Sequence, residues 1–596
     1  MAEDDDLINK IEETTINAKR CQHETLATIL RINGRVGYLQ RYLGNTNFYD
    51  HFDAETFRRL VPLSTYDDYA DHINRMAEGI IDDDVDGWHF LSFDPIICFF
   101  LRGTDQTFIG VMNSSGTSGM KQKVIPYYDS ASSKAASFLA HYGSSAIQRR
   151  LFPPRPSVNK SLWFLYAGNI TITKSGFKAM AASSIPLSSS KESQSQFLST
   201  CIAPAEVVKG SNLQQQMYCH LLCGLRKFEV IDSIRAPYAI ALIKAFSLLQ
   251  TNWEQLCNDL ESGTVSSEIT DIAMRDSVNE LLCGPEEEIA NRVRSICQEK
   301  NWEGVIGKLW PNARYVRCIT TGSMQQYYTK LKHYAGDIPL LGGEYFASEC
   351  CVGINMDIMQ PPELTRFVML PTAAYFEFLP FDLKDKNAFA GKETVDFSEV
   401  EVGKMYEVVV TTYRGLYRYR LGDVVKVVGF HNSSPELELV MRAPKNYSEI
   451  LTERDLFRAV QNLELAGGSL LLGQLVEFAG FMDLESEAKH VKIFVEFAHE
   501  CMLLDKEKEN ESVLFLESCQ STIEDGLGAM YKLKRGNGEI QNLVLSVVQP
   551  GTFDLLLHKA VENNAPASQY KPPKIIRSHG IVDFMDVNSA LTVVFN

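Results

Sequence analysis

The sequence predicts an α/β protein: a large N-terminal α/β domain, followed by a smaller α+β domain. Three observations lead there. The chain has 596 residues, and single cores stop growing at roughly 250–300 residues, so it must divide into domains. Segments with helical apolar spacing alternate with short runs rich in β-branched and aromatic residues over the first part of the chain. After about Phe430 the composition changes, and strands such as HVKIFVEF and NLVLSVV alternate with amphipathic helices and longer polar connections. The expected plan is residues 1–430 for the N-terminal domain, 431–446 for a hinge and 447–596 for the C-terminal domain.

The elements follow in order. LINKIEETTINAKRCQHETLATILRIN places Leu7, Ile11, Ala18, Leu26 and Ile29 on one stripe, a helical opening. Pro62 and Pro95 punctuate the next stretch, and residues 80–112 run from acidic to apolar and end in a strand. A buried helix is expected from Pro237 to Leu260, with the proline in the first turn, where its missing N–H costs nothing. ARYVRCITTGSMQQYYTKLKHY reads as a strand from Tyr315 to Thr320, a small-residue turn and a helix. IPLLGGEYFASECCVGIN reads as two strands about a Gly-Gly turn. From Tyr406 the pattern is β: YEVVVTT, a turn at Arg414-Gly415, LYRYRL, a turn at Gly422-Asp423, and VVKVV. There is no internal repeat.

Composition narrows the function. A formal charge of −17 with a pI near 5.3 repels phosphate backbones and anionic lipid, so neither nucleic acid nor membrane is an expected partner. The start, MAEDDDLINK, lacks the basic and apolar regions of a signal peptide. No apolar run approaches the ~18 residues of a membrane span. Thirteen cysteines show neither metal-ligand nor disulfide spacing; Cys219, Cys223, Cys350 and Cys351 read as buried thiols. A reducing cytoplasm fits, and a monomer is expected.

Four short motifs carry candidate chemistry. Ser114-Ser115-Gly116-Thr117-Ser118-Gly119, with Lys123 beyond, suits a loop gripping the β- and γ-phosphates of ATP: glycines admit an anion, hydroxyls and amides donate, and the lysine adds charge. A plain surface loop has the same composition, and the Walker A pattern is absent. Thr321-Gly322-Ser323-Met324 lies at a strand-to-helix turn, which suits a ligand anion or simple capping. Tyr345-Phe346-Ala347-Ser348-Glu349 offers an aromatic for adenine and a carboxylate for magnesium, or just a strand edge. Gly422-Asp423 offers a carboxylate for a ribose diol, or an ordinary hairpin turn.

In order and spacing these motifs resemble the plant acyl-acid amido synthetases, the auxin-inducible Gretchen Hagen family of the firefly-luciferase-like adenylate-forming superfamily. The resemblance runs through SSGTS…K…P (114–126), MYCHLLCGL (217–225), WEQLCNDLESG (253–263), KLWPNARY (308–315), TGSMQQY (321–327), SECCVGIN (348–355), YFEFLP (375–380), GLYRYRLGDVV (415–425), QPGTFDLLL (549–557) and SQYKPPK (568–574). It implies an N-terminal domain of β/α subdomains with a β-barrel and a mobile C-terminal α+β domain, together making a two-step ligase that uses ATP and Mg2+. A small carboxylic acid is adenylated with release of pyrophosphate, the C-terminal domain swings, and an amino acid amine displaces AMP. It also implies roles: Ser114, Ser115, Thr117 and Ser118 at phosphate, with Thr321, Tyr345, Ser348 and Glu349 around the nucleotide. Glu349 is the implied metal ligand, Asp423 the ribose ligand, and Lys571 the lysine that the mobile domain brings to the reacting phosphate. The acyl pocket is implied along the helix at roughly 129–145, with Phe138 and Tyr142, and at Phe164, Met324 and Tyr327. That helix carries no arginine. An auxin, a jasmonate or a benzoate would fit, with a lean to indole-3-acetic acid as the family's commonest substrate.

The chain departs from the pattern it resembles. Met120 stands where glycine is common, and Ala347 where the first serine of SSE is usual. About a dozen extra residues lie within 80–112, KNYSEILTERDL replaces the longer stretch after the hinge, and Phe478-Ala479-Gly480 stands for F-T-S. Two alternatives stay open: a catalytically impaired nucleotide- or hormone-binding sensor, and an acyl-CoA synthetase.

Overall fold

The computed structural model describes residues 2–44, 53–78, 106–113, 123–167, 170–181, 184–185, 187, 191–382, 393–444, 451–483, 485–486, 489–498, 501–562 and 570–595. Most of 80–112, and the loop with Ser114, Ser115, Thr117, Ser118 and Met120, lie outside the described residues.

The opening stripe folds as two helices, Ala2–Ile16 and Ala18–Asn33. All five stripe residues are buried. The second helix is tied to the protein by one buried amide. Gln22 Nε2 donates to the carbonyls of Pro371 (2.6 Å) and Ala374 (2.7 Å), and its Oε1 accepts from the Phe376 amide (2.7 Å). A buried glutamine satisfied on both sides fixes the helix against the start of the strand Tyr375–Phe381.

Four sheets form among the described residues. One is fully parallel, Lys160–Trp163, Ile231–Tyr238, Tyr315–Ile319 and Leu340–Leu341, with helices between its strands. This is a β/α subdomain with its own core, including Phe164, Phe246 and Trp310. A second sheet joins Val124–Ser130, Gln106–Asn113, Lys178–Ala181 and Thr171–Ile172. The third has eight strands, running from Val395–Asp396 at one edge to Tyr345–Phe346 at the other. It is this sheet that occupies the place of the expected barrel; its two edge strands are not paired with each other among the described residues. The fourth, a five-stranded mixed sheet, belongs to the C-terminal part and includes His490–Phe497 and Asn542–Val548, the two strands read from the sequence.

Several local expectations need correcting. Pro237 lies near the end of a strand and does not begin a helix: Ile231–Tyr238 pairs with Tyr315–Ile319 up to Tyr238, across a register shift after Arg235, and the helix is Ala239–Ser262. Gly422-Asp423 is not a turn, because Tyr419–His431 runs through it as one strand. Ser434–Arg442 is a strand paired with both neighbours, so much of the expected 431–446 hinge is held in the sheet and any linker starts after Arg442. The helix expected at 129–145 is Ala131–Phe138, a π turn Leu139–Gly143, and Ser144–Leu151. Cys219 and Cys223 are buried, whereas Cys350 and Cys351 are half-buried.

One core histidine makes the fold acid-sensitive. His220 is fully buried; its Nε2 lies 3.1 Å from the Leu165 carbonyl and its Nδ1 has no partner. Burial pushes its pKa down to about 4. The unfolded chain therefore takes up this proton near pH 6.5 while the fold refuses it, so stability falls as pH drops from about 6.5 towards 4. The expected contribution is about 2 kcal/mol lost between pH 7 and 5. His220→Gln keeps a donor for Leu165 and does not titrate. Its stability should depend less on pH by that amount in parallel denaturant titrations, and equal pH slopes would refute the assignment.

Candidate active site

Asp423 is the centre of the site. Gly422 has φ +79°, a conformation open to glycine, and a bulge follows at Val424/Val425. Together they set Asp423 opposite Arg442 of the adjacent strand. The Asp423 carboxylate is 5% exposed. Its Oδ2 accepts from the Tyr345 hydroxyl at 2.7 Å, and its Oδ1 lies 2.6 Å from an Arg442 guanidinium nitrogen. Asp423 holds the Arg442 pKa above its usual value, against burial, and burial with Asp423 raises that of the Tyr345 hydroxyl. Two bonds leave a carboxylate with acceptor capacity, since its oxygens offer about four lone-pair sites.

Glu349 follows on the hairpin from Tyr345–Phe346 to Cys351–Ile354, closed by the Ala347 amide donating to the Cys350 carbonyl at 2.9 Å. It is buried, and its Oε1 accepts from the Tyr419 hydroxyl at 3.2 Å. Lys123 reaches the same hydroxyl at 3.3 Å and lies 5.6 Å from the Tyr66 ring centroid. Burial lowers the Lys123 pKa while the Glu349 and Asp423 carboxylates oppose that, so it is a cation held among anions.

The C-terminal part faces this cluster. Thr452 caps the helix Glu453–Leu472, accepting from the Asp455 amide at 3.0 Å. Burial pushes the carboxyl pKa of Glu453, the first helical residue, upward, and Arg442, Lys571 and Lys574 pull it back. The Lys571 ammonium sits 4.2 Å from the ring centroid of Tyr238. Lys574 is 3% exposed and paired with Glu477, itself 4% exposed. Glu477 accepts from the hydroxyl of Tyr327, which lies across the junction in the N-terminal part. Lys244 and Asp554 form a second bridge between the parts, at 2.6 Å.

Tyr345, Glu349 and Asp423 are thus gathered, while Lys571 stands on the facing part. Thr321 precedes the turn Gly322–Tyr327 without a side-chain cap bond, and Ser348 is half-buried beside Glu349. Of the residues expected at the acyl pocket, Phe138 and Tyr142 are exposed, their rings 4.7 Å apart. Met324 and Phe164 are fully buried, Phe164 with its ring 5.6 Å from His220, and Tyr327 is committed to Glu477. Sequence reasoning missed Arg442, Tyr419, Glu453 and Lys574. Arg442 joins Asp423 by strand register alone. Tyr419 stood inside the quoted GLYRYRLGDVV motif, where its alternation with Asp423 along one strand was a usable signal.

The chain matches the GH3 family N-terminal domain over residues 7–340, the central domain over 367–442 and the C-terminal domain over 454–580. It is 49% identical over 390 residues, 64% of this chain and 79% of the other, to a probable indole-3-acetic acid-amido synthetase, GH3.6, of Oryza sativa subsp. japonica. It is 35% identical to the jasmonoyl–L-amino acid synthetase GH3.5 of the same organism, covering 96% of this chain and 94% of that one. It is 32% identical to the 4-substituted benzoates-glutamate ligase GH3.12 of Arabidopsis thaliana, covering 96% and 95%. The solved structure of the GH3.15 acyl acid amido synthetase superposes with a TM-score of 0.79 at 27% identity, covering 98% of this chain and 97% of that one. With the three domain models in sequence and relatives matched nearly end to end, the chain belongs to the GH3 family.

Proposed function

We propose that this protein is an ATP-dependent acyl-acid amido synthetase that adenylates a small carboxylic acid and conjugates it to an amino acid, releasing AMP and pyrophosphate. The observation that carries the reading is the gathering of Tyr345, Glu349, Asp423 and Lys123 in one cluster faced by Lys571 and Glu453. It is a ligase forming a carbon–nitrogen bond. The named substrates of its relatives, indole-3-acetic acid, jasmonate and substituted benzoates, set the range of acids to try.

In this reading Asp423 accepts from the ribose hydroxyls, Tyr345 borders the adenine, and Lys123 adds positive charge near phosphate. Ser114, Ser115, Thr117 and Ser118 are assigned to the phosphates, with Thr321 and Ser348 close to the nucleotide. Among the described residues no three His, Cys, Asp or Glu side chains form a metal cluster. That fits Mg2+, which binds through one or two carboxylates plus substrate phosphates and water. Glu349 is the carboxylate that would hold it, and the ion would neutralise phosphate charge. The protein's own part is positioning and charge placement. The pivot between residues 1–430 and 447–596, residence in the cytoplasm and action as a monomer belong to the same proposal.

Purified protein with ATP, magnesium and a panel of acids and amino acids should release acid-dependent pyrophosphate and give a conjugate by mass spectrometry. No pyrophosphate with any acid would replace the enzyme with a binding protein. Lys571→Ala should slow turnover roughly 100-fold yet leave ATP affinity within about threefold, because a group acting late contributes little to ground-state binding. Unchanged rates in both half-reactions would make Lys571 a surface residue.

A further inference from the structure

In the parallel sheet, Trp163, Arg235 and Arg317 stand opposite one another on three adjacent strands, so their side chains share one face. The row beside them confirms the face: Ser161 and Ser233 are joined through their hydroxyls at 2.8 Å, and Gln148 donates to the Tyr315 hydroxyl at 2.7 Å. The helix Ser144–Leu151 lies over it, for Arg317 donates to Ser144 Oγ at 2.9 Å and to Gln148 Oε1. Arg317 also pairs with Glu344, the residue before Tyr345.

Arg235 is the exception in this row. Its guanidinium lies 4.8 Å from the Trp163 ring centroid, and among the described residues no hydrogen bond or ion pair engages its side chain. Glu344 is already taken by Arg317, so two guanidinium groups face one carboxylate. Burial and the neighbouring Arg317 bring the Arg235 pKa down to about 10, the mark of a cation short of compensation. The residue is half-buried, and none of its guanidinium nitrogens is sealed from water without a partner, so its donors are open to a ligand. A guanidinium held over an indole face keeps its in-plane N–H donors for an acceptor of its own.

The row lies beneath the segment to which the acyl pocket was assigned. Ser144–Leu151 continues directly from the π turn Leu139–Gly143 and the helix Ala131–Phe138, which carry Tyr142 and Phe138. His141 of that turn has its ring 5.0 Å from Phe346, the neighbour of Tyr345 in the nucleotide cluster. The row that holds Arg235 is thus tied, through Arg317, to the acyl segment on one side and to Glu344 beside the nucleotide cluster on the other.

We propose that Arg235, stacked on Trp163, is a specificity-determining residue of the acyl pocket. It receives an oxygen acceptor, a carboxylate above all, at the end of the acyl acid remote from the carboxyl group that is activated. This rests on the ligase reading and sharpens it to acids carrying a distal oxygen.

The test uses matched acids that differ only at the far end: hydrocarbon, hydroxyl and carboxylate. For the full-length protein the oxygen-bearing member should be preferred about tenfold or more in kcat/KM, the worth of a hydrogen bond to a charged group. Arg235→Met should bring the pair to within about threefold, mainly through KM for the acid, and Arg235→Lys, which keeps charge without the fork, should fall between. Equilibrium binding of the same acids without ATP separates the two readings. Arg235-dependent preference in binding without pyrophosphate release would uphold the site and remove the ligase. Turnover with no distal-oxygen preference, or with one that Arg235→Met leaves intact, would overturn the site alone. A rise in KM for the amino acid only would also overturn it, as Arg235 would then serve the amino acid carboxylate. Binding of none of the acids would overturn both.

Discussion

Asp423→Ala is expected to weaken ATP binding roughly tenfold to 150-fold, the consequence of losing about 1.5–3 kcal/mol of hydrogen bonding to a charged acceptor. In the structure this carboxylate takes the Tyr345 hydroxyl and the Arg442 guanidinium, so the substitution removes three things together. It deletes the acceptor for ribose, releases a buried tyrosine hydroxyl, and leaves Arg442 without its counter-ion. Two further variants separate these. Tyr345→Phe keeps the ring beside the nucleotide and the carboxylate intact, so it should lower stability by about 1.5–3 kcal/mol yet leave ATP affinity within about threefold. Asp423→Asn keeps an acceptor for Tyr345 but not the charge facing Arg442, and should fall between wild type and Asp423→Ala. Isothermal calorimetry on folded protein reads all three. If Asp423→Ala binds ATP as the wild type does, the ribose is held elsewhere.

How the site was legible depends on the kind of signal. Tyr345, Glu349 and Asp423 were readable because each sits in a short motif with its own local chemistry, and the structure does gather them. Their setting was not. Gly422-Asp423 has the composition of a turn, yet the strand register continues through it and the glycine supplies a kink that aims the aspartate. Pro237 likewise has the signature of a helix start, but pairing with Tyr315–Ile319 extends the strand past it. Tertiary pairing outweighs local preference in both places. Arg442, and the facing of Arg235 by Arg317, arise from register between strands far apart in sequence, for which a single chain offers no marker. The buried stripe of the opening helices was legible, because a row of apolar side chains is a local statement about burial, whereas the break between Ile16 and Ala18 left no such mark.

Lys574→Met is expected to destabilise the C-terminal part by about 3–5 kcal/mol, the cost of breaking a buried ion pair from one side. Lys574 and Glu477 are nearly inaccessible, and the ammonium also reaches the Phe478 carbonyl at 3.3 Å. Burial lowers the lysine pKa and the Glu477 carboxylate opposes that shift without cancelling it. Replacing both, Lys574→Met with Glu477→Leu, should recover most of the loss, since two apolar groups have no charge to desolvate. That non-additivity, read from a double-mutant cycle in denaturant, is the signature of the pair. Tyr327 adds a separate arm, because its hydroxyl reaches Glu477 from the other side of the junction. Tyr327→Phe leaves the ion pair in place and removes the crossing bond to Glu477, worth about 1.5–3 kcal/mol for a charged acceptor, together with the longer contact from Lys574 at 3.5 Å. The C-terminal part should then melt as before, while amide exchange at Gly322–Tyr327 and Leu475–Asp483 speeds up about tenfold or more, as expected for a junction that opens more readily. If Lys574→Met costs less than about 1 kcal/mol, the pair lies exposed to water in solution; if exchange at both faces is unchanged in Tyr327→Phe, the two parts are held together by other contacts and this hydroxyl does not govern their separation.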